Sequence, residues 1–181
     1  EMVKRLKQKH DTPIIFMSAT NLILQYGIED FFSEAKDHGL DGIIIPDLAV
    51  EMGDAYITAS KQNDVSLIFL LSPLCTADRF ETIVKSSEGF IYLISSTGIT
   101  GERKSVSESL SDISKRIKAI KDIPVVVGFG ISQPEHVKSV FKFADGAIVG
   151  SHLVKILNQH VDQLEEAKKQ ISSRIRELKA G

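Results

Sequence analysis

Two strand-end stretches carry the residue types best suited to chemistry. They are VVVGFGISQPEHV over residues 125–137 and IVGSHLV over residues 148–154. In each, an apolar run ends in glycine and passes straight into a helical pattern. A glycine there lets a ligand approach backbone N–H groups, and the following helix offers its positive end to an anion. Gly128 and Gly130 bracket Phe129, so either the chain turns tightly or something comes very close to that backbone. Gly150 leads into Ser151, whose hydroxyl can cap the helix or meet a phosphate oxygen. Either stretch alone also reads as an ordinary turn with a helix cap. As consecutive strand ends with a helix after the second, the pair matches the phosphate site of (β/α)8 barrels, formed after strands 7 and 8.

Two further stretches could join that site. YLISSTGITGERKSVSESL, residues 92–110, begins as a strand and becomes long and polar, with Gly98 and Gly101 flanking Ile99 and Thr100. Such a loop in a compact barrel is a tolerated insertion or a binding loop and lid, which closes over a phosphorylated ligand and expels water. IIIPDLAVEMGD, residues 43–54, puts Asp47 at a strand end behind Pro46. Its carboxylate either binds a polar ligand group or braces the loop. The histidines offer less. His10, His38, His136 and His160 fall on helical patterns and are expected to face solvent, and His152 follows Ser151 beyond the strand end. No HxH, HExxH or Cys/His cluster is present, so no metal site is expected. GxGxxG, GxxxxGKS and a nucleophile elbow are also missing.

The elements that must position these residues follow from the apolar periodicity. Six short runs, at 13–19, 42–47, 66–72, 90–96, 124–130 and 146–151, are nearly continuously apolar and rich in Ile, Val or Phe. That pattern predicts parallel strands buried on both faces. Amphipathic stretches lie between them. Residues 28–39 put Ile28, Phe31, Phe32 and Ala35 on one face and stop at Gly39; a second stretch ends in the same way at Gly89. Residues 107–122 carry Leu110, Ile113, Ile117 and Ile120 at helical spacing, and Pro134 opens another helix. A highly charged last helix spans about 161–179. Strand–helix alternation means right-handed βαβ units, in an open doubly wound sheet or a (β/α)8 TIM barrel. Chemistry at nearly every strand end favours the barrel, in a single domain over residues 1–181.

Composition agrees with this and excludes other classes. The 181 residues are 43% hydrophobic and 25% charged, with a net charge of −2, so no global basic field invites nucleic acid or an acidic membrane. The single cysteine, Cys75, cannot pair within the chain and fits a reducing cytoplasm. No apolar run reaches membrane-spanning length. The opening EMVKRLKQKH reads as the middle or end of a helix without a cap ahead of it, as in the back part of something longer.

IIIPDLAVE, YLISSTGITG, VVVGFGIS and GAIVGSHLVK, in that order and at these separations, resemble the α subunit of tryptophan synthase. The resemblance implies a (β/α)8 barrel, here about six of eight βα units, corresponding to strands 3 to 8. It implies retro-aldol cleavage of indole-3-glycerol phosphate to indole and glyceraldehyde 3-phosphate, in a complex with a β subunit that carries pyridoxal phosphate (PLP); this chain itself needs no cofactor. The substrate phosphate would be held by Gly101, Gly130, Gly150 and Ser151, with Phe129 beside it. Tyr92 and Thr100 would line the pocket, Ile44 and Leu71 would sit against the indole ring, and Asn21 and Asp47 would face the β subunit. The family's two catalytic carboxylates, a Glu on the second strand and an Asp in the loop after it, fall ahead of EMVKRLKQKH. No catalytic residue is therefore assigned here, and these 181 residues alone are expected to have little or no lyase activity. Two alternatives remain: a non-catalytic subunit that binds phosphate ligands and modulates a partner, and another phosphate-binding barrel enzyme of the indoleglycerol-phosphate synthase type.

Overall fold

A computed structural model describes residues 1–94, 103–128 and 130–180, with side chains left out of the description at 103–109. Backbone contacts divide the chain into two compact units, Glu1–Leu71 with Cys75–Ile91, and Ser72–Leu74 with Tyr92–Gly181. Each of the six apolar runs becomes a strand position, with the strand shorter than the run.

The first unit contains α1 (Met2–Lys7), β1 (Ile15–Met17), α2 (Thr20–Tyr26), α3 (Ile28–Asp37), β2 (Gly42–Ile44), a 3-10 turn (Val50–Met52), α4 (Asp54–Asn63), β3 (Ser66–Ile68), β4 (Leu70–Leu71) and α5 (Ala77–Ser86). β1, β2 and β3 form a parallel sheet in that order, with Ile15 opposite Gly42 and Gly42 opposite Ser66. The expected two-faced burial is found at Ile43, Ile44, Leu67, Ile68 and Leu71. β1 is the outer strand, and its Ile15 and Met17 are exposed. Phe32 on α3 is fully buried, with Ile28, Phe31 and Ala35 half-buried beside it. Gly39, at φ +78°, closes α3 as expected. Gly89 does not close α5. That helix ends at Ser86 with Ser87 extended, and Gly89 turns the chain toward the next strand.

The second unit contains β5 (Ile91–Ile94, beginning at the boundary), α6 (Arg103–Ile120), β6 (Val125–Gly128), α7 (Pro134–Val140), β7 (Gly146–Ile148), α8 (Ser151–Gln159) and α9 (Leu164–Ala180). β5, β6 and β7 are neighbours in that order. α6 starts a turn earlier than the sequence pattern indicates and buries Leu110, Ile113 and Ile117, while Ile120 at its end stays exposed. α9 packs on α7 and α8. Among the described residues, no helix is long and apolar enough to cross a membrane.

One device locks the starts of neighbouring strands in both units. Just before β2, Asp41 accepts the Ile14 N–H at 2.6 Å and meets Lys7 Nζ at 2.6 Å, while its own N–H donates to the Ile14 carbonyl. Just before β7, Asp145 accepts the Val125 N–H at 2.8 Å and meets Lys118 Nζ at 2.8 Å, and its N–H donates to the Val125 carbonyl. Lys118 and the Val125 N–H hold the Asp145 carboxyl below its ordinary range. At Asp41 burial pushes the carboxyl up, and Lys7 with the Ile14 N–H more than offsets it. A depressed folded-state carboxylate contributes stability above its unfolded value and loses it as pH falls. The thermal midpoint should therefore fall as pH drops below about 4. Asp145→Asn should give a shallower acid slope than the native chain; an unchanged slope counts against this role.

Candidate functional site

The strand ends of the second unit bring one group of predicted residues together. β6 and β7 pair in parallel with Gly128 opposite Ile148. Gly130 and Gly150 each lie two residues beyond that pair, so they leave neighbouring strands at the same level. Gly130 sits at φ +68°, a conformation natural to glycine, and a Cβ built there or on Gly150 would meet nothing within 4 Å among the described residues. Both glycines and Ser151 are exposed. Ser151 is the first residue of α8, whose N-cap is Gly150 and whose first turn carries no acidic residue. Gly150 has no side chain to cap the helix; its carbonyl takes the Leu153 and Val154 N–H groups, and the N–H groups of Ser151 and His152 at the positive helix end have no side-chain cap. This arrangement suits an anion with several oxygens.

The two glycines around position 129 have different causes. A Cβ on Gly128 would overlap the ring of Tyr92, on β5. The group that comes close to that backbone is therefore a side chain of the protein, and Gly130 alone faces open space. Tyr92 is half-buried, and that burial pushes its hydroxyl pKa up. Gly128→Ala forces the ring aside and should destabilise the chain by about 1–3 kcal/mol, the usual range for overpacking. Urea unfolding measures this, and the cost should vanish when Tyr92→Ala is already present. A cost that persists in the double variant would exclude the ring contact as its cause.

In the first unit, Ile44 and Leu71 lie at the C-terminal ends of β2 and β4, and both are buried. Asn21 and Asp47 are both exposed. The Asp47 carboxylate takes the Thr20 N–H at the start of α2, at 2.9 and 3.2 Å, and this bond holds its pKa down. Asp47 thus performs the bracing that the sequence left open, and places Asn21 at the same rim. Two buried hydroxyls, Thr20 Oγ1 and Tyr56 Oη, have no hydrogen-bond partner among the described residues. Burial raises the Tyr56 pKa, and the Asp47 charge adds to that rise. Thr100, Gly101 and Phe129 lie outside the described residues. No group of three or more His, Cys, Asp or Glu able to hold a metal occurs among the described residues.

The family model described as tryptophan synthase alpha chain matches residues 1–181. The chain belongs to the tryptophan synthase alpha chain family. The Methanocaldococcus jannaschii alpha chain is 41% identical over 93% of this chain and 60% of its own length. The Arabidopsis thaliana alpha chain is 38% identical over 99% and 65%. The chain thus spans about three fifths to two thirds of these relatives. A solved chain from the tryptophan synthase α2β2 complex of Pyrococcus furiosus superimposes with a TM-score of 0.87 at 34% identity, covering 99% of this chain and 72% of that one. The Campylobacter jejuni alpha subunit gives a TM-score of 0.83 at 36% identity, covering 94% and 68%. The parallel α/β fold is that of the family's (β/α)8 barrel, represented here by six strand positions.

Against this alpha-chain fold, three of the four histidines expected to face solvent depart from the sequence reading. His38, His136 and His160 are half-buried and bonded, with His38 Nδ1 2.8 Å from the Glu34 carbonyl. His160 Nδ1 lies 3.0 Å from the Ile156 carbonyl, and the Ser132 N–H points to His136 Nδ1 at 3.4 Å. His152 Nε2 accepts from Arg174. Arg174 escaped the sequence reading because it lies in a helix crowded with charge, where one arginine gives no signal.

Proposed function

We propose that this chain forms the phosphate-holding and indole-lining part of a tryptophan synthase α barrel, acting in the cleavage of indole-3-glycerol phosphate to indole and glyceraldehyde 3-phosphate. The observation that carries the reading is the register of β6 and β7. It supports Gly130 and Gly150 lying near each other, each two residues beyond the Gly128–Ile148 pair, with no described atom within 4 Å of a Cβ on either and no side-chain cap on the helix that starts at Ser151. Backbone N–H groups and the Ser151 hydroxyl would take the phosphate oxygens, and Gly101, Phe129 and Thr100 would complete the cradle. Tyr92 would stand at its wall. Ile44 and Leu71 would meet the indole ring.

Cleavage needs a base on the glycerol hydroxyl and a proton donor to the indole carbon, each worth about 10²–10⁴ in rate. Asp47, the carboxylate at a described strand end, is already bonded to Thr20. The engagement of Asp47 with Thr20 favours holding over cutting, and it keeps the non-catalytic binding subunit as the second reading. Asn21 and Asp47, with exposed Leu22 and Met52 beside them, would face a β subunit, where the PLP chemistry resides. The two units would form one domain, since the chain passes between them after Leu71, Leu74 and Ile91, and the biosynthetic family points to the cytoplasm.

Calorimetric titration with D-glycerol 3-phosphate tests the reading, with glycerol as the comparison. Saturable binding of the phosphate ester and none of glycerol supports it. Equal behaviour of the two would overturn it.

A further inference from the structure

We infer that Arg174 is a positioning residue for the phosphate site, tying together the two backbone segments that form it. This inference rests on the phosphate reading above. Arg174 lies on α9, distant in sequence from both segments, and only 18% of its side chain is exposed. Its guanidinium makes bonds in three directions. Nη2 donates to the Ser132 carbonyl at 2.6 Å and to Gln133 Oε1 at 2.8 Å. Nε donates to His152 Nε2 at 3.0 Å. Nη1 donates to Glu177 at 2.6 Å on its own helix.

The first group of partners lies two and three residues after Gly130. The second lies directly after Ser151. One planar, rigid fork therefore fixes the exit of the loop after β6 and the first turn of α8 against a common helix. Arginine suits this task because its donors are held in one plane at fixed angles, whereas a lysine ammonium is a single point on a flexible stem. In the bond from Nε, His152 Nε2 serves as the acceptor. Without Arg174 the two segments keep their strands but lose their common anchor. Their N–H groups would then have to be ordered by the ligand, which weakens binding.

The test uses the whole chain and D-glycerol 3-phosphate. Arg174→Ala should weaken binding about ten-fold, a change of 1.4 kcal/mol. Amide resonances of Gly130, Gly150 and Ser151 should shift in the ligand-free variant. His152→Ala should weaken binding several-fold, and His152→Gln, which keeps an acceptor near Nε2, should stay within about two-fold of native. A merely structural Arg174 would lower the melting temperature without this acceptor-dependent recovery. A folded Arg174→Ala chain that binds within two-fold of native overturns the inference. So does His152→Gln that is as weak as His152→Ala. Gly130→Asp separates the two claims. If it abolishes binding while Arg174→Ala does not, the phosphate site stands and the clamp falls. If it leaves binding unchanged, or the native chain does not bind, the site falls and the clamp with it.

Discussion

Gly130→Asp should abolish D-glycerol 3-phosphate binding, by about 100-fold or more, equal to roughly 2.7 kcal/mol, in a chain that remains folded. Folding should survive because a Cβ at this position meets nothing within 4 Å among the described residues, and aspartate tolerates the left-handed backbone better than most residues. The loss should come from charge. The new carboxylate would stand where phosphate is proposed to sit, and two unit charges about 4 Å apart repel by roughly 4 kcal/mol at an effective dielectric of 20. Gly130→Ala adds the methyl without the charge, so it should lose only a few-fold. Equal losses in the two variants would assign the effect to backbone strain and remove the electrostatic account. Calorimetry for affinity and circular dichroism for folding decide between them.

The second large effect concerns turnover. If neither of the two acid–base groups, worth about 10²–10⁴ each, comes from these residues, the purified 181-residue chain should cleave indole-3-glycerol phosphate at least about 10⁴-fold more slowly than a full-length alpha-chain relative. Binding of glycerol 3-phosphate should nevertheless be measurable in the same preparation. Holding and cutting would thereby be separated: backbone and helix end would recognise the phosphate arm, and bond cleavage would need carboxylates with free oxygens. Turnover within ten-fold of the relative would mean that a residue of this chain supplies the base. Asp47 would then be the first to replace with asparagine.

The strand positions were legible because a strand buried on both faces has little choice of residue. SLIFLLS becomes two short strand pieces with Leu67, Ile68, Phe69 and Leu71 all buried. Helix starts were less legible. α6 begins at Arg103, ahead of its first periodic apolar residue, because polar residues in a first turn give no amphipathic signal. At the site, Gly130, Gly150 and Ser151 could be read as a set because they stand at successive strand ends. Gly128 could not be read correctly, since the ring that requires it comes from Tyr92, 36 positions earlier in the chain. Arg174 was invisible for a related reason: its partners are backbone and side-chain acceptors on other elements, and no local spacing encodes them.

The paired aspartates at the strand starts also bear on how the molecule breathes. Asp41 and Asp145 each exchange two hydrogen bonds with the residue opposite and add a lysine, and in the second unit Asp145 does so at the strand end away from Gly130, Gly150 and Ser151. Amide hydrogens of Ile14 and Val125 should consequently be among the slowest to exchange with solvent deuterium, while those of Gly130 and Ser151 exchange early. Opening fluctuations would then begin at the ligand end and die out toward the aspartates. Rigidity and mobility would be sorted along β6 and β7, so that the ligand end can adjust without loosening the base on which it stands.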